Sequence, residues 1–413
     1  MTESVSGGYA AALSALSARL RESAPARIQL LVGPRQVGKT TLLLELARAF
    51  GDAASYVAGD DPAAATPGAW ERAWDDAEAR AARSRAVLLL DEIQHWPDWS
   101  TRLKGRWDRV RRRGLELHVV ASGSSALRLG DGSRESLAGR FERVALTHWP
   151  ASELARIFKL STASAARELV RFGGYPGAFP LRRDVVRWQA YVRDAVIEPA
   201  IGRDVLTLGI ARRPQLVRQV FAAAVGMPSE IVSLQKLQGQ LERGALETIA
   251  QYLSLLDEAY LVAPLEKYSE RVLRRRAAPP KLVALNNALI SALHPEGPPD
   301  PVRDSARFGR WVENACLAHA RNTGHQVWYW REEPLEVDGI IDGPWGRWAV
   351  EIKTGRFEAR DADALLEFTR RYPRFTPLVV VDAASMAVVK ALGTAGVTWQ
   401  DFLLHGPPGR AEA

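Results

Sequence analysis

The octapeptide Gly33-Pro34-Arg35-Gln36-Val37-Gly38-Lys39-Thr40 constrains this chain more than any other stretch. It follows the apolar run Ile28-Gln29-Leu30-Leu31-Val32 and leads, through Thr41, into the helix-favouring Leu42-Leu43-Leu44-Glu45-Leu46-Ala47. Strand, glycine-bounded loop and helix in that order are the setting in which G-x-x-x-x-G-K-[ST] is a phosphate-binding loop. Gly33 and Gly38 let the backbone curl so that successive N–H groups face inward and cradle phosphate oxygens. Lys39 then reaches the β- and γ-phosphates, Thr40 offers its hydroxyl to Mg²⁺, and the helix N-terminus adds the positive end of its dipole. The run Gly33 to Thr41 is expected to bind a nucleoside triphosphate, and such a loop belongs to an α/β fold.

At 413 residues the chain is too long for one core and should divide into two to four domains. Its net charge of +7 points to a polyanionic partner, with a solvated basic surface as the alternative. The lone cysteine, Cys316, excludes an internal disulfide framework and reads as a packing residue. No apolar run has the length of a membrane span, and the N-terminus lacks a basic-then-apolar signal pattern. The expectation is a cytoplasmic protein with no membrane partner.

Taken in order, residues 9–22 read as an amphipathic helix, with a strand at 55–57 and a helix over 68–83. Val87–Leu90 and Leu117–Ala121 are continuous apolar runs, as strands covered on both faces should be, and a further strand is expected over 142–146. Strands alternating with helices imply a mostly parallel sheet with ligand chemistry at the carboxyl ends of its strands. Asp91-Glu92 and Ser122-Gly123-Ser124-Ser125 fall at such ends. From 150 to 205 the pattern turns helical, broken by Gly173-Gly174-Tyr175-Pro176-Gly177. Helical pieces at 233–241 and 246–256 precede strand candidates 260–262 and 282–285, which flank the basic loop Arg271–Arg276; this is the outline of a winged helix. Gly297-Pro298-Pro299-Asp300-Pro301 reads as the clearest linker. Beyond it come a helix at 305–322, strands at 326–330, 335–341 and 347–353, a helix at 361–371 and a strand at 378–382.

Asp91, ending a buried strand, is placed to hold Mg²⁺ through water, and Glu92 beside it to activate the attacking water. Ser124, or its neighbours Ser122 and Ser125, is a candidate for the γ-phosphate or that water, although serines also favour turns. Arg140 is a candidate to offset charge on the transferring phosphoryl group, delivered from a neighbouring subunit of a homo-oligomer, against the reading of an ordinary surface arginine. The basic run Arg102, Lys104, Arg106, Arg109, Arg111, Arg112, Arg113 is either a solvated helix face, the favoured reading, or a nucleic-acid contact.

Gly33–Thr40, Leu89-Leu-Asp-Glu-Ile-Gln94, Ser122–Ser125, Ser136-Leu-Ala-Gly-Arg140 and Gly173-Gly-Tyr-Pro176 occur in this order. The series resembles the prokaryotic AAA-type ATPases that carry a C-terminal domain of unknown function with a restriction-endonuclease-like core. The resemblance covers nearly the whole chain. It implies an α/β AAA+ ATPase core over 1–150, a helical lid over 151–205, a winged helix over 206–296 and a small α/β restriction-endonuclease-like domain over 302–405, with ATP and Mg²⁺ as cofactors.

In the last domain, strand alternation puts Glu336 and Asp338 on one face, and Glu351 and Lys353 on one face of the next strand. The turn-rich Asp342–Gly346 should pair these strands as a hairpin and bring Asp338, Glu351 and Lys353 together. Two carboxylates on a polar face can hold Mg²⁺, and a lysine beside them can orient or deprotonate water. The set resembles the D…E-x-K core of restriction-type nucleases, and Glu313 on the preceding helix matches that family's extra acidic position. The competing reading is a half-exposed hairpin charged for solubility. The seven histidines show no metal-ligand spacing, and packing is expected for His319 and His325.

These features together predict an ATP-hydrolysing AAA+ protein associated with double-stranded DNA, with a Mg²⁺-dependent nuclease site as a candidate. The rival is a nucleotide-dependent regulator that binds a protein partner and has a non-cleaving C-terminal domain.

Overall fold

In the computed structural model, residues 4–6, 8–123, 137–205, 213–241, 244–270 and 278–409 are described. Ser124, Ser125 and the basic loop Arg271–Arg276 lie outside them. Two compact units divide the chain, one running to Thr147 and the other from His148 onward.

The first unit contains β1 (Ser4–Ser6), α1 (Tyr9–Arg19), β2 (Ile28–Val32), α2 (Lys39–Phe50), β3 (Ala54–Ala58), α3 (Ala69–Ala81), β4 (Ala86–Asp91), α4 (Trp99–Arg113), β5 (Leu117–Gly123) and β6 (Phe141–Leu146). All neighbouring strands are parallel, in the order β1-β6-β2-β5-β4-β3. The largely apolar character of β2, β4 and β5 is explained by position: they lie inside the sheet, and every residue in them is buried. Trp70 and Trp74 of α3 and Leu103, Trp107 and Val110 of α4 close one core over this sheet. Each such side chain contributes roughly 1.5–3 kcal/mol by leaving water.

The basic run falls entirely on α4 and is largely neutralised within the unit. Arg106, Arg109 and Arg113 all reach Glu78 of α3, at 3.4, 3.1 and 2.6 Å. Arg106 also pairs with Asp75 and Arg102 with Glu71. An acidic stripe one helix away thus meets the arginines, while Arg111 and Arg112 stay exposed.

The second unit begins with α5 (Ala151–Phe158), α6 (Thr162–Phe172) and α7 (Val185–Tyr191), the last continuing through wide π-type turns to Val205. Next come α8 (Pro214–Val225), α9 (Leu234–Gln238), α10 (Leu246–Glu258) and the antiparallel pair β7 (Val262–Leu265) and β8 (Lys281–Ala284). Tyr260, expected in a strand, instead sits in the left-handed turn that ends α10 (φ 58°), so β7 starts two residues later. After α11 (Asn287–Leu293) and α12 (Ser305–Asn322), a five-stranded sheet is built from β9 (Gln326–Glu332), β10 (Leu335–Gly343), β11 (Gly346–Lys353), β12 (Thr376–Val381) and β13 (Ala395–Thr398). Its order is β13-β12-β11-β10-β9, antiparallel through β9, β10 and β11 and parallel through β11, β12 and β13. Helix α13 (Asp363–Arg371) buries Leu365 and Phe368 against it, and α14 (Met386–Ala391) and α15 (Trp399–His405) follow in the crossover and at the end.

The proline-rich stretch 297–301 is pinned rather than loose. Arg307 Nη1 donates to Gly297 O (3.1 Å) and Arg171 Nε to Pro299 O (3.0 Å). The Gly173-Gly174 pair serves a close approach. Gly173 has φ 68°, and a Cβ there would stand 1.9 Å from Asn286 Oδ1. Asn286 Oδ1 accepts from Gly174 N and caps α11 through Ala288 N, both at 3.1 Å.

His319 is buried on α12 against Trp345 and Phe402, with Nε2 lacking a partner among the described residues. Burial first, then the nearby His325 and His405, pushes its pKa down to about 3. Below the ordinary histidine value of about 6.5 the unfolded chain takes a proton that the folded site refuses until about pH 3. Stability from this residue is therefore present above that window and lost as pH falls through it, by on the order of a few kcal/mol. Thermal melts at pH 7 and pH 4 are expected to show a smaller acid-induced loss for His319→Phe than for the native chain.

Candidate functional site

The loop Gly33–Thr40 leaves the carboxyl end of the interior strand β2 and enters α2 at Lys39. Gly33 is packed so closely that a Cβ would lie 1.9 Å from Leu146 O, which fixes the loop against the end of β6. Pro34, Arg35 and Gln36 form the outer turn, with Gln36 left-handed (φ 62°), and Val37 is fully buried beneath it. Lys39 Nζ is buried and donates to Gly33 O (3.1 Å) and Pro34 O (2.7 Å), so its charge is held at the mouth of the loop. Thr40 and Thr41 are exposed on the first turn of α2.

Parallel pairing puts the ends of β2, β5 and β4 on one edge, with β5 between the other two. Asp91 ends β4, is 1% exposed and accepts from Tyr56 Oη (2.9 Å), from Glu92 N (3.0 Å) and, at close range, from Ser122 Oγ of β5. Burial, then the charge of Asp91, drives the Tyr56 phenol well above its usual range, so it stays a donor. Glu92 is left-handed (φ 46°), and its carboxylate is held by Gln94 Nε2. The residues fit a Mg²⁺-nucleotide: a glycine-built cradle, a buried ammonium at its mouth, an exposed hydroxyl at Thr40 and an oriented buried carboxylate at Asp91. Tyr56 was not singled out in the sequence, because a tyrosine in a short strand looks like packing.

Arg140 lies at the other end of the sheet. Its carbonyl accepts from Ile28 N, the first residue of β2, while the phosphate loop begins after the last, roughly 17 Å away at strand rise. It cannot serve its own loop. Its guanidinium grips Asp108 with two bonds, Nε to Oδ1 (2.8 Å) and Nη2 to Oδ2 (3.2 Å), which hold that carboxyl below its ordinary range.

In the C-terminal sheet, β10 and β11 pair so that Asp338 faces Glu351, and Asp338 Oδ2 accepts from Ile352 N (2.9 Å). Lys281 enters from β8. Its ammonium, 1% exposed, lies 2.7 Å from Glu313 Oε1, 3.1 Å from Asp338 Oδ1 and 3.5 Å from Glu336 Oε1. Lys353 turns away to Asp361 (3.5 Å). Burial opposes charge on Lys281, but Glu313, Asp338 and Glu336 outweigh it and hold the lysine protonated. One ammonium cannot balance four carboxylates. Burial, then the charge of Asp338, pushes Glu313 up to about 8, and burial raises Glu351 well above the carboxylate range. Glu351 Oε2 is buried without a partner among the described residues. No three His, Cys, Asp or Glu side chains among the described residues are placed to hold one metal ion. Lys281 escaped the sequence reading because a lysine opening an apolar strand looks like an edge charge.

Among the described residues no helix is long and apolar enough to cross a membrane. Comparison with known families matches residues 164–300 to a domain of unknown function (DUF8612) and residues 308–392 to another (DUF4143). The uncharacterized proteins Mb2031c of Mycobacterium bovis and Rv2008c of Mycobacterium tuberculosis are each 27% identical over 345 residues, covering 82% of this chain and 73% of theirs. Similar solved structures include Aeropyrum pernix ORC1 in complex with DNA, at 17% identity over 72% of this chain and 94% of that one, TM-score 0.28. AMPPCP-bound DnaA from Aquifex aeolicus is 13% identical over 59% of this chain and 86% of that one, TM-score 0.31. Residues 25–155 match the family described as an AAA domain.

Proposed function

We propose that the chain is an ATP-hydrolysing AAA+ protein that associates with double-stranded DNA and acts as a homo-oligomer. The observation that carries this reading is the single sheet edge that gathers Lys39, Thr40, Asp91 and Glu92. Lys39 exchanges its two loop carbonyls for phosphate oxygens. Thr40 and Asp91 would hold Mg²⁺, which would supply positive charge to offset that on the transferring phosphoryl group. Glu92 orients the attacking water once it leaves Gln94. Arg140, remote from its own loop, completes the site of an adjacent copy after releasing Asp108.

DNA association rests on the net charge of +7, on three helices followed by the antiparallel β7–β8 pair, the outline of a winged helix, and on Arg271, Arg274, Arg275 and Arg276, which fall between those strands in the sequence. Asp338 and Lys353 are engaged by Ile352 N and Asp361 while Glu351 Oε2 has no partner among the described residues, and a cutting role for the three is not part of this proposal. Duplex binding by the full chain, followed from 50 to 200 mM salt, is expected to weaken at least tenfold as counterions are released. Undetectable binding at the low-salt end, with and without ATP, would overturn the DNA reading in favour of a regulator that binds a protein.

A further inference from the structure

The resemblance to restriction-type nucleases implies Mg²⁺ at the C-terminal carboxylates, and the residues present do not fit it. Mg²⁺ demands a near-octahedral oxygen shell at about 2.0–2.1 Å. Here one Asp338 oxygen accepts a main-chain N–H while the other, with Glu313, faces the ammonium of Lys281. We infer that Lys281 is the resident cation of this cluster: its ammonium takes the place of a divalent metal, and the C-terminal domain is a non-cleaving module held together by an internal ion group.

The placement of Lys281 is fixed by its backbone. Strand β8 pairs with β7 at Leu265 on one edge and bridges to Ile231 on the other, so Lys281 cannot slide out along its strand. Leu282 N donates to Glu230 O and Val232 N to Pro280 O, both at 2.9 Å, locking the residues on either side. Access is not the barrier to metal. A cleft of about 820 Å³, lined in part by Arg310, Glu313, Lys353 and Asp382, opens beside the cluster. Charge is the barrier. A dication placed among these oxygens would sit against a buried ammonium with little water to screen the repulsion. With an uncharged side chain of similar length in its place, the carboxylates are free to turn toward one ion, and the same cluster should then become a metal site. This inference stands apart from the ATPase reading and is tested without nucleotide or DNA.

The experiment is a Mn²⁺ titration of the full chain, reading free ion by electron paramagnetic resonance. Native protein and Asp338→Asn are expected to give the same curve. Lys281→Met is expected to gain one site per chain, at least tenfold tighter than any site of the native protein, and to lose it again when Asp338→Asn is added. A native chain that takes up a Mn²⁺ removed by Asp338→Asn overturns the proposal, as does a folded Lys281→Met that gains none. Where circular dichroism shows Lys281→Met unfolded, the native and Asp338→Asn curves still decide, and Lys281→Arg, which keeps the cation, is expected to fold.

Discussion

Lys39→Ala is expected to lower ATP turnover by at least about a hundredfold while the chain stays folded. The magnitude is that of removing one preorganised charge from a site where negative charge develops. In the resting loop Lys39 Nζ is buried and bonded to Gly33 O and Pro34 O, so it carries no structural link to another element through those bonds. Gly33 and Pro34 are themselves buried, so alanine leaves two carbonyls short of a donor, at roughly 1–3 kcal/mol each where water does not replace it. Phosphate release measured on both proteins, with a circular dichroism melt of each, separates the chemical loss from unfolding. Equal turnover would end the claim that this loop performs hydrolysis.

The second large effect is expected far from that loop, at Asn287. This side chain is 3% exposed and starts α11. Its Nδ2 donates to Val170 O of α6 (2.8 Å) and Trp311 O of α12 (2.9 Å), and its Oδ1 accepts from Asn314 Nδ2 (2.8 Å). Asn314, fully buried, ties the same group to β8 by accepting from Ala284 N (3.0 Å) and donating to Ala284 O (2.8 Å). Four elements, α6, β8, α11 and α12, therefore meet on two amides. Asn287→Leu keeps the branching but adds volume, and it leaves the Val170 carbonyl and an Asn314 N–H without partners in the interior, each costing roughly 1–3 kcal/mol, with overpacking added. The expected loss is on the order of 3–6 kcal/mol, or a melting temperature about ten degrees lower for a unit of this size. A shift below about two degrees would mean that the network is not what fastens these elements.

The parts of the fold legible in the sequence were those carried by short-range pattern. Val87–Leu90 and Leu117–Ala121 read as doubly covered strands because continuous apolar residues cannot face water, and they are interior strands β4 and β5. A helix around 305–322 was legible from its pattern, and the structure bounds it at Ser305 and Asn322, with Asp304 capping its start. Tyr260 was misplaced by two residues because its apolar neighbours mimic a strand while a helix-ending turn claims it. The stretch at 297–301 read as a linker because proline and glycine are the signals of loose chain, whereas Arg307 nearby and Arg171, remote in sequence, fasten it.

For the sites, spacing along the chain determined the phosphate loop and the Asp91-Glu92 pair, because phosphate binding is done by consecutive backbone groups and a strand end. Distance across the chain decided the rest. Tyr56 holding Asp91, Arg140 paired to Asp108 and Lys281 standing among Glu313, Glu336 and Asp338 are meetings of residues tens of positions apart. A carboxylate's chemistry depends on the charge that faces it. The sequence by itself determined that Asp338 and Glu351 share a hairpin, but only the tertiary structure decided that a buried ammonium faces them.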